Sequence, residues 1–471
     1  MTTEKSIVRQ TIHDTLTAMK ARNAEVSARL SDRVLLTDYA HLSRKTDTGT
    51  VWTEALQTAL SEHEIVVIPP SDAIYYIDGS VIIPSHRRIE ADGARIFLTP
   101  DCEVLMLRNA HTADGTHSPV PDGALWDCDI TISGGIWGES RTRRQGYGAT
   151  GRYEPRIPGA DDELRAFYGV STLFLFLCVD GLTLENLTFV HTAGFSVQTG
   201  YLKNGVFERI RFEGCFADGL HLNGASENLY ISDISGEVGD DLVAFNMYDW
   251  QNSSVSFGAT RCVWCEGLDL SPSSPYKALR IEPGMYFYDD DSAVDCGLFD
   301  AVIRSVRGIA TFKMYFQTPR YKLGEELPER GEVGSADNLF FEDIVIDLDR
   351  PIDGFPEYFT ADPVRGAFAA FELGANIGYV SLSDIAITMY PEKFPSSYLV
   401  TVGPKSVVWQ GCEIFDPYLS SRTGTVELHN IVVNGVKCEN PAALVHATVF
   451  EDVNHDGMST GRGEIGEILE S

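Results

Sequence analysis

The chain has 471 residues, 44% of them hydrophobic, and a net charge of −31 from 68 acidic and 37 basic side chains. Such a field disfavours nucleic acid and anionic membranes as partners, and it counts against a long polyanionic substrate unless basic side chains line the site. No run approaches the roughly 18 apolar residues of a membrane span. The N-terminal stretch is charged throughout, with no apolar signal region, and nine cysteines without a paired framework fit a reducing compartment; a cytoplasmic protein is expected.

Residues 1–30 are expected to form a helical segment, with Ile7, Ile12, Leu16 and Met19 at helical spacing. It is free either to cap the end of a larger fold or to pair with another subunit in a homo-oligomer. Strand, loop and helix follow in VLLTDYAHLSRKTDTGTVWTEALQTAL, then short strands split by turns in EIVVIPPSDAIYYIDGSVIIPSHRRIEADGARIFLTP. In pattern this stretch resembles the N-terminal cap and first turns of the pectate-lyase-like β-helix superfamily.

From residue 181 an internal repeat dominates: GLTLENLTF, GVFERIRF, NLYISDIS, VWCEGLDL, DAVIRSVR, LFFEDIVI, VSLSDIAI and VELHNIVV. Aligned on their central apolar residues, these place Leu187, Ile210, Ile234, Leu268, Val306, Ile344, Ile385 and Ile431 in one column. The first steps match the roughly 22–24 residues of a three-sided solenoid turn, and the longer later steps mark loops inserted at turns, as a binding face requires. Stacking buries columns that a lone turn could not. The expected fold is all-β, a right-handed parallel β-helix occupying residues 31–471 as one domain. Cys265, partner of Cys262 in a lone CxxC, falls at an inward position and reads as a packed thiol.

A second strand column precedes the first within each turn: GFSVQTG, ADGLHLNG, GDDLVAFN, ALRIEPG and GIATFKMY. Alternation sends Phe195, Val197, Leu220, Leu222, Val243, Phe245, Leu279, Ile281, Phe312 and Met314 inward. It sends Ser196, Gln198, His221, Asn223, Ala244, Asn246, Arg280, Glu282, Lys313 and Tyr315 outward, a polar row that reads as a groove floor. Asn223 and Asn246 hold matching places in consecutive turns and could equally form an amide ladder. Tyr248, Trp250, Tyr286, Tyr288 and Tyr315 follow these strands and are candidates for stacking on sugar rings.

Asp218 opens one of these strands, and Asp240 with Asp241 opens the next. The step from Asp218 to Asp241 is one turn, so the two should stack about 4.7–4.9 Å apart. Three carboxyls this close cannot all ionise freely, and at least one pKa should rise. That suits glycoside hydrolysis, in which one protonated acid serves the leaving oxygen and an ionised partner activates water, with the two carboxyls about 6.5–9.5 Å apart if configuration is inverted. The competing reading is that ADG and GDD are only turn formers.

The same residues carry a resemblance to the polygalacturonase family, glycoside hydrolase family 28, over roughly residues 170–315. Its Asn-Thr-Asp-Gly becomes Phe216-Ala217-Asp218-Gly219 here, its Gly-Asp-Asp is Gly239-Asp240-Asp241, its Gly-His-Gly turn is replaced by ALRIEPG, and Lys313 matches its lysine, with Thr311 where the family has arginine. The resemblance implies Asp240 as general acid, Asp218 and Asp241 as the pair that positions and deprotonates water, and inversion. Where the family's histidine and arginine are missing, His221 and Arg280 stand as candidate replacements for gripping the sugar, and the arginines at 141, 143, 144, 152 and 156 as a candidate positive wall. Substrate-binding candidates are thus His221, Asn223, Gln198, Asn246, Arg280, Glu282, Lys313 and Tyr315; no cofactor is expected. DVNHDG, with Asp452, Asn454 and Asp456, resembles the start of a calcium loop, but the twelfth position is Gly463 instead of Glu.

The leading expectation is an inverting, exo-acting hydrolase of an oligosaccharide. A lyase, epimerase or fructotransferase on the same scaffold, and a non-catalytic carbohydrate-binding β-helix, are the alternatives.

Overall fold

In the computed structural model, residues 3–100, 102, 105–112, 123–140, 172–248, 255–274, 278–287, 292–314, 333–349, 369–395, 397–404, 420–449 and 461–470 are described. Tyr315, Trp250, Tyr288, the arginines between 141 and 156, and Asp452, Asn454 and Asp456 lie outside them.

Among the described residues, twenty-nine strands join one sheet that winds as a right-handed parallel β-helix. Thirteen strands stack in parallel along one face, from Arg33–Leu35 to Arg462–Glu470. Within that face Ile210, Ile234, Leu268, Val306, Ile344, Ile385 and Ile431 are direct partners in register, as the repeat predicts. All seven are at most 2% exposed. Each Ile or Leu fills the space between its neighbours above and below, so the core is one continuous stack.

The corners between faces carry their own polar ladders. Asn204, Asn228, Cys262, Asp300 and Asn338 all sit at left-handed backbone positions, which Asn and Asp tolerate better than most residues. Asn204 Nδ2 donates to Asp180 at 2.7 Å, Asn228 Nδ2 to Asn204 at 3.0 Å, and Asn338 Nδ2 to Asp300 at 2.8 Å. Burial pushes the Cys262 thiol up to about 11 and raises the fully buried Cys265 thiol as well. Both shifts favour the protonated thiol over the reactive thiolate.

Helix α1 (Thr3–Ala28) does not cap the solenoid. It lies along its flank, touching strands from Asp127–Ser133 to Ser335–Asp347. Ile12, Leu16 and Met19 pack on Val206, Trp264, Val302, Phe340 and Tyr379, whereas Ile7 is exposed. Arg22 bonds Asp129 at 2.8 Å, Arg9 forks onto Glu342, and Lys20 pairs with Glu208. The cap is instead helix α2 (Thr53–Glu62), whose Ala55, Leu56, Ala59 and Leu60 are fully buried in the main core. Leu16→Ala should loosen α1 from the flank, since truncating a buried Leu costs about 2–5 kcal/mol. Limited proteolysis should then cut within residues 3–28 many-fold faster, with the solenoid left intact; an unchanged cleavage rate would contradict this docking.

Candidate active site

Eleven strands stack along the face that carries the polar row, from Val81–Ile83 to Val445–Ala447. Their inward residues pack as expected, except Phe195, which stays out of the core and stacks on the His221 ring, centroids 3.8 Å apart. It opens its strand directly after a turn, where alternation does not yet bind it. On the other side of the strands Gln198, His221, Ala244, Arg280 and Lys313 form one register column. Asn223 and Asn246 are partners one step along.

The row is not an open floor. Gln198, His221, Asn223, Asn246 and Glu282 are 0% exposed, Lys313 2% and Arg280 9%. Part of the cover is chain 255–258: Val255 N donates to Asn223 Oδ1 at 3.4 Å, and Ser256 Oγ bonds Gly224 O. Nor do Asn223 and Asn246 form an amide ladder. Gln198 Nε2 donates to Asn223 Oδ1 at 2.9 Å, and Asn223 Nδ2 to the Asn246 carbonyl at 3.0 Å. Asn246 Nδ2 lies 3.1 and 3.3 Å from the two His221 nitrogens.

The sequence step from Asp218 to Asp241 appears as hydrogen bonds between coils. Gly219 N donates to Asp241 O at 2.9 Å and Leu220 N to Leu242 O at 3.0 Å, while Asp241 N donates to Asp218 Oδ1 at 3.0 Å. The flanking glycines are a steric demand of this stacking. A Cβ on Gly219 would come within 2.6 Å of Leu242 O, and one on Gly239 within 2.5 Å of Phe216 O. Oxygens from Asp218, Asp240 and Asp241 all lie within 4.8 Å of one another. That is shorter than the 6.5–9.5 Å expected, because coil spacing and chain adjacency set it. Asp218 and Asp241 are 0% exposed and Asp240 is 5%.

Arg280 sits among these acids, its Nε 2.8 Å from Asp241 Oδ2, Nη2 3.4 Å from Asp218 Oδ2 and Nη1 3.6 Å from Glu282 Oε1. Ala244, its register neighbour, is small enough to leave it room. Burial drives the Asp241 carboxyl well above the ordinary carboxylate range; Arg280 opposes this, Asp240 and Asp218 add to it, and Lys313 opposes it. His221 Nδ1 is 2.6 Å from Asp218 Oδ2. An ionised Asp218 can only accept, so the ring proton belongs on Nδ1 and Nε2 is left to accept from Asn246.

The trio could in principle hold a cation, but the Arg280 guanidinium already supplies positive charge there. His86, Cys128 and Asp129 form a second cluster with metal-ligand atoms, and there too an arginine, Arg22, occupies the carboxylate.

One expectation about neighbours needs correcting. Tyr248 and Tyr286 do not stand ready for a sugar: Tyr248 is 2% exposed, Tyr286 stacks on Phe257 at 4.3 Å, and both pack with the core. Thr311, where the family has arginine, is tied by its hydroxyl to Ala369 O at 2.7 Å. The sequence reading also stopped the row too early. Glu372 is the next register partner of Lys313, 2% exposed, followed by Thr401 and His446. The alternation in AAFEL, with Phe371 and Leu373 inward, was the available signal.

No family model matches the chain, and no curated protein matches it in sequence. Among solved structures it is similar to a hyperthermoactive exopolygalacturonase from Thermotoga maritima, with a TM-score of 0.50 at 11% identity over 94% of this chain and 99% of that one. It is also similar to a family 28 exopolygalacturonase from Yersinia enterocolitica (TM-score 0.45, 12% identity, 93% and 78% covered) and to a polygalacturonase from Erwinia carotovora (TM-score 0.44, 13% identity, 87% and 95% covered). The class that emerges is the right-handed parallel β-helix.

Proposed function

We propose that the protein is a glycoside hydrolase that cleaves an oligosaccharide by carboxylate acid–base chemistry. The observation that carries this reading is the cluster of Asp218, Asp240 and Asp241 on adjoining coils, oxygens within 4.8 Å, beside a buried polar row. Turn formers alone need no such burial, and a purely structural solenoid has no use for a carboxyl whose burial costs so much.

Asp240 is the trio's most accessible member and takes the role of general acid. Asp218 and Asp241 are enclosed, the first held by the Asp241 amide and His221, the second by Arg280. Pinned carboxylates of this kind suit holding a water better than swinging to attack an anomeric carbon, which favours inversion despite the short spacing. Gln198, His221, Asn223, Asn246, Arg280, Glu282 and Lys313 line the remainder of the site as sugar-binding or positioning groups. Exo action belongs to this reading, and the cover that chain 255–258 places over the row supports it.

The experiment is a screen of neutral, uronate and fructan oligosaccharides with chromatographic product analysis, followed by proton NMR of the first product. The expected result is release of a terminal sugar with inverted anomeric configuration. An unsaturated product absorbing in the ultraviolet would identify a lyase instead, and retention would assign one of the pinned carboxylates as nucleophile.

A further inference from the structure

Resting on the hydrolase reading, we infer that the sugar bound at this site is neutral, and that Glu282 and Glu372 enforce this by neutralising the two cations that would otherwise grip a uronate. The observation is the charge composition of the row. Among the described residues, five buried carboxyls belong to it (Asp218, Asp240, Asp241, Glu282 and Glu372) against two buried cations (Arg280 and Lys313). With Asp240 protonated as the general acid and the Asp241 carboxyl raised by burial, Asp218, Glu282 and Glu372 still outnumber the two cations.

Arg280 is already engaged, and Lys313 has an acid beside it in register. Arg280 has carboxylate oxygens from three residues around it, at 2.8, 3.4 and 3.6 Å. Lys313 lies between Arg280 and Glu372 in the register column, so its two strand neighbours on that face are a cation and an acid. Adjacent strands are about 4.7–4.9 Å apart, close enough for the acid to answer the ammonium. A uronate carboxylate entering here would add one more negative charge to a dry, acid-rich row and would have to displace an existing ion pair. Like-charge juxtaposition of this kind is a strong device for rejecting wrong partners. Neutral hydroxyls meet no such obstacle.

The test uses pairs of sugars that differ only at C6, as hydroxymethyl or carboxylate: galactose with galacturonate, glucose with glucuronate, and their short oligomers. Binding is measured by calorimetry on full-length Asp240→Asn protein, and turnover on the parent enzyme. The neutral member of every binding pair should bind at least about ten-fold tighter. Glu282→Gln, which removes the acid 3.6 Å from Arg280, should narrow or reverse that preference. Glu372→Gln, acting through Lys313, gives an independent second variant should the first melt below working temperature.

Tighter binding and faster cleavage of uronates by the parent enzyme would overturn this inference while leaving the hydrolase reading intact. An unchanged preference in both folded glutamine variants would overturn the role of the two glutamates. Failure of every sugar to bind or turn over would overturn both the inference and the hydrolase reading beneath it.

Discussion

Asp240→Asn is expected to lower kcat about 10²–10⁴-fold, the usual contribution of a positioned general acid, with the melting temperature at or slightly above that of the parent. Asparagine keeps the size and hydrogen bonding of the side chain but has no proton to deliver to the leaving oxygen. Stability should not fall, because Asp240 adds to the repulsion that raises the Asp241 carboxyl, and the substitution removes that repulsion. A substrate with a very good leaving group needs little protonation and should recover part of the lost rate. If Asp240 only shaped the turn, the pattern would reverse: lowered stability with near-normal rate. Full activity on the natural sugar would mean that another carboxyl is the acid.

Arg280→Met should have the largest effect on stability, a loss of about 3–5 kcal/mol at pH 8, the range found when one partner of a buried ion pair is removed. Asp218, Asp241 and Glu282 would then share a buried space without the guanidinium between them. The pH dependence has a definite sign. Asp241 has a folded pKa raised above its unfolded value, by burial first and with Arg280 as the largest opposing influence. For a carboxyl raised in this way, the stability is fully present below the unfolded pKa of about 3.9 and is lost as pH climbs through the folded pKa. Removing Arg280 raises that pKa further, so the variant's deficit should grow from pH 5 to pH 8. Thermal melts of variant and parent at both pH values test this, and an equal deficit at the two would show that Arg280 is not the counter-charge for these acids. Activity should fall with it at neutral pH, because Asp241 could no longer ionise to hold water.

The solenoid itself was legible in the sequence because its signal is redundant. Ile210, Ile234, Leu268, Val306, Ile344, Ile385 and Ile431 repeat one local pattern, and parallel stacking allows that pattern a single register, since a one-residue slip would turn every apolar residue outward. The same frame brought Asp218 and Asp241 together across 23 residues, as the Asp241 amide on Asp218 now demonstrates. Both results depend only on period and alternation, which are local properties of the chain.

What lay beyond reach was everything set by contacts between non-repeating parts. The apolar positions of α1 fit a cap as well as a flank, and only the matching cluster of Val206, Trp264, Val302, Phe340 and Tyr379, drawn from five separate coils, decided for the flank. Alternation told which side of a strand His221, Asn223 and Arg280 occupy, but not that this side is covered, because chain 255–258 reaches it from outside the repeat. For the same reason Tyr248 and Tyr286, plausible as sugar platforms in one dimension, are tied up with Phe257 in three. Burial then decides the electrostatics: an Asp241 in water and an Asp241 enclosed beside Arg280 have the same sequence, and only the second holds its proton well above the usual range. Period and face are written into the chain residue by residue, whereas enclosure, and the charge states that follow from it, arise from which distant segments meet.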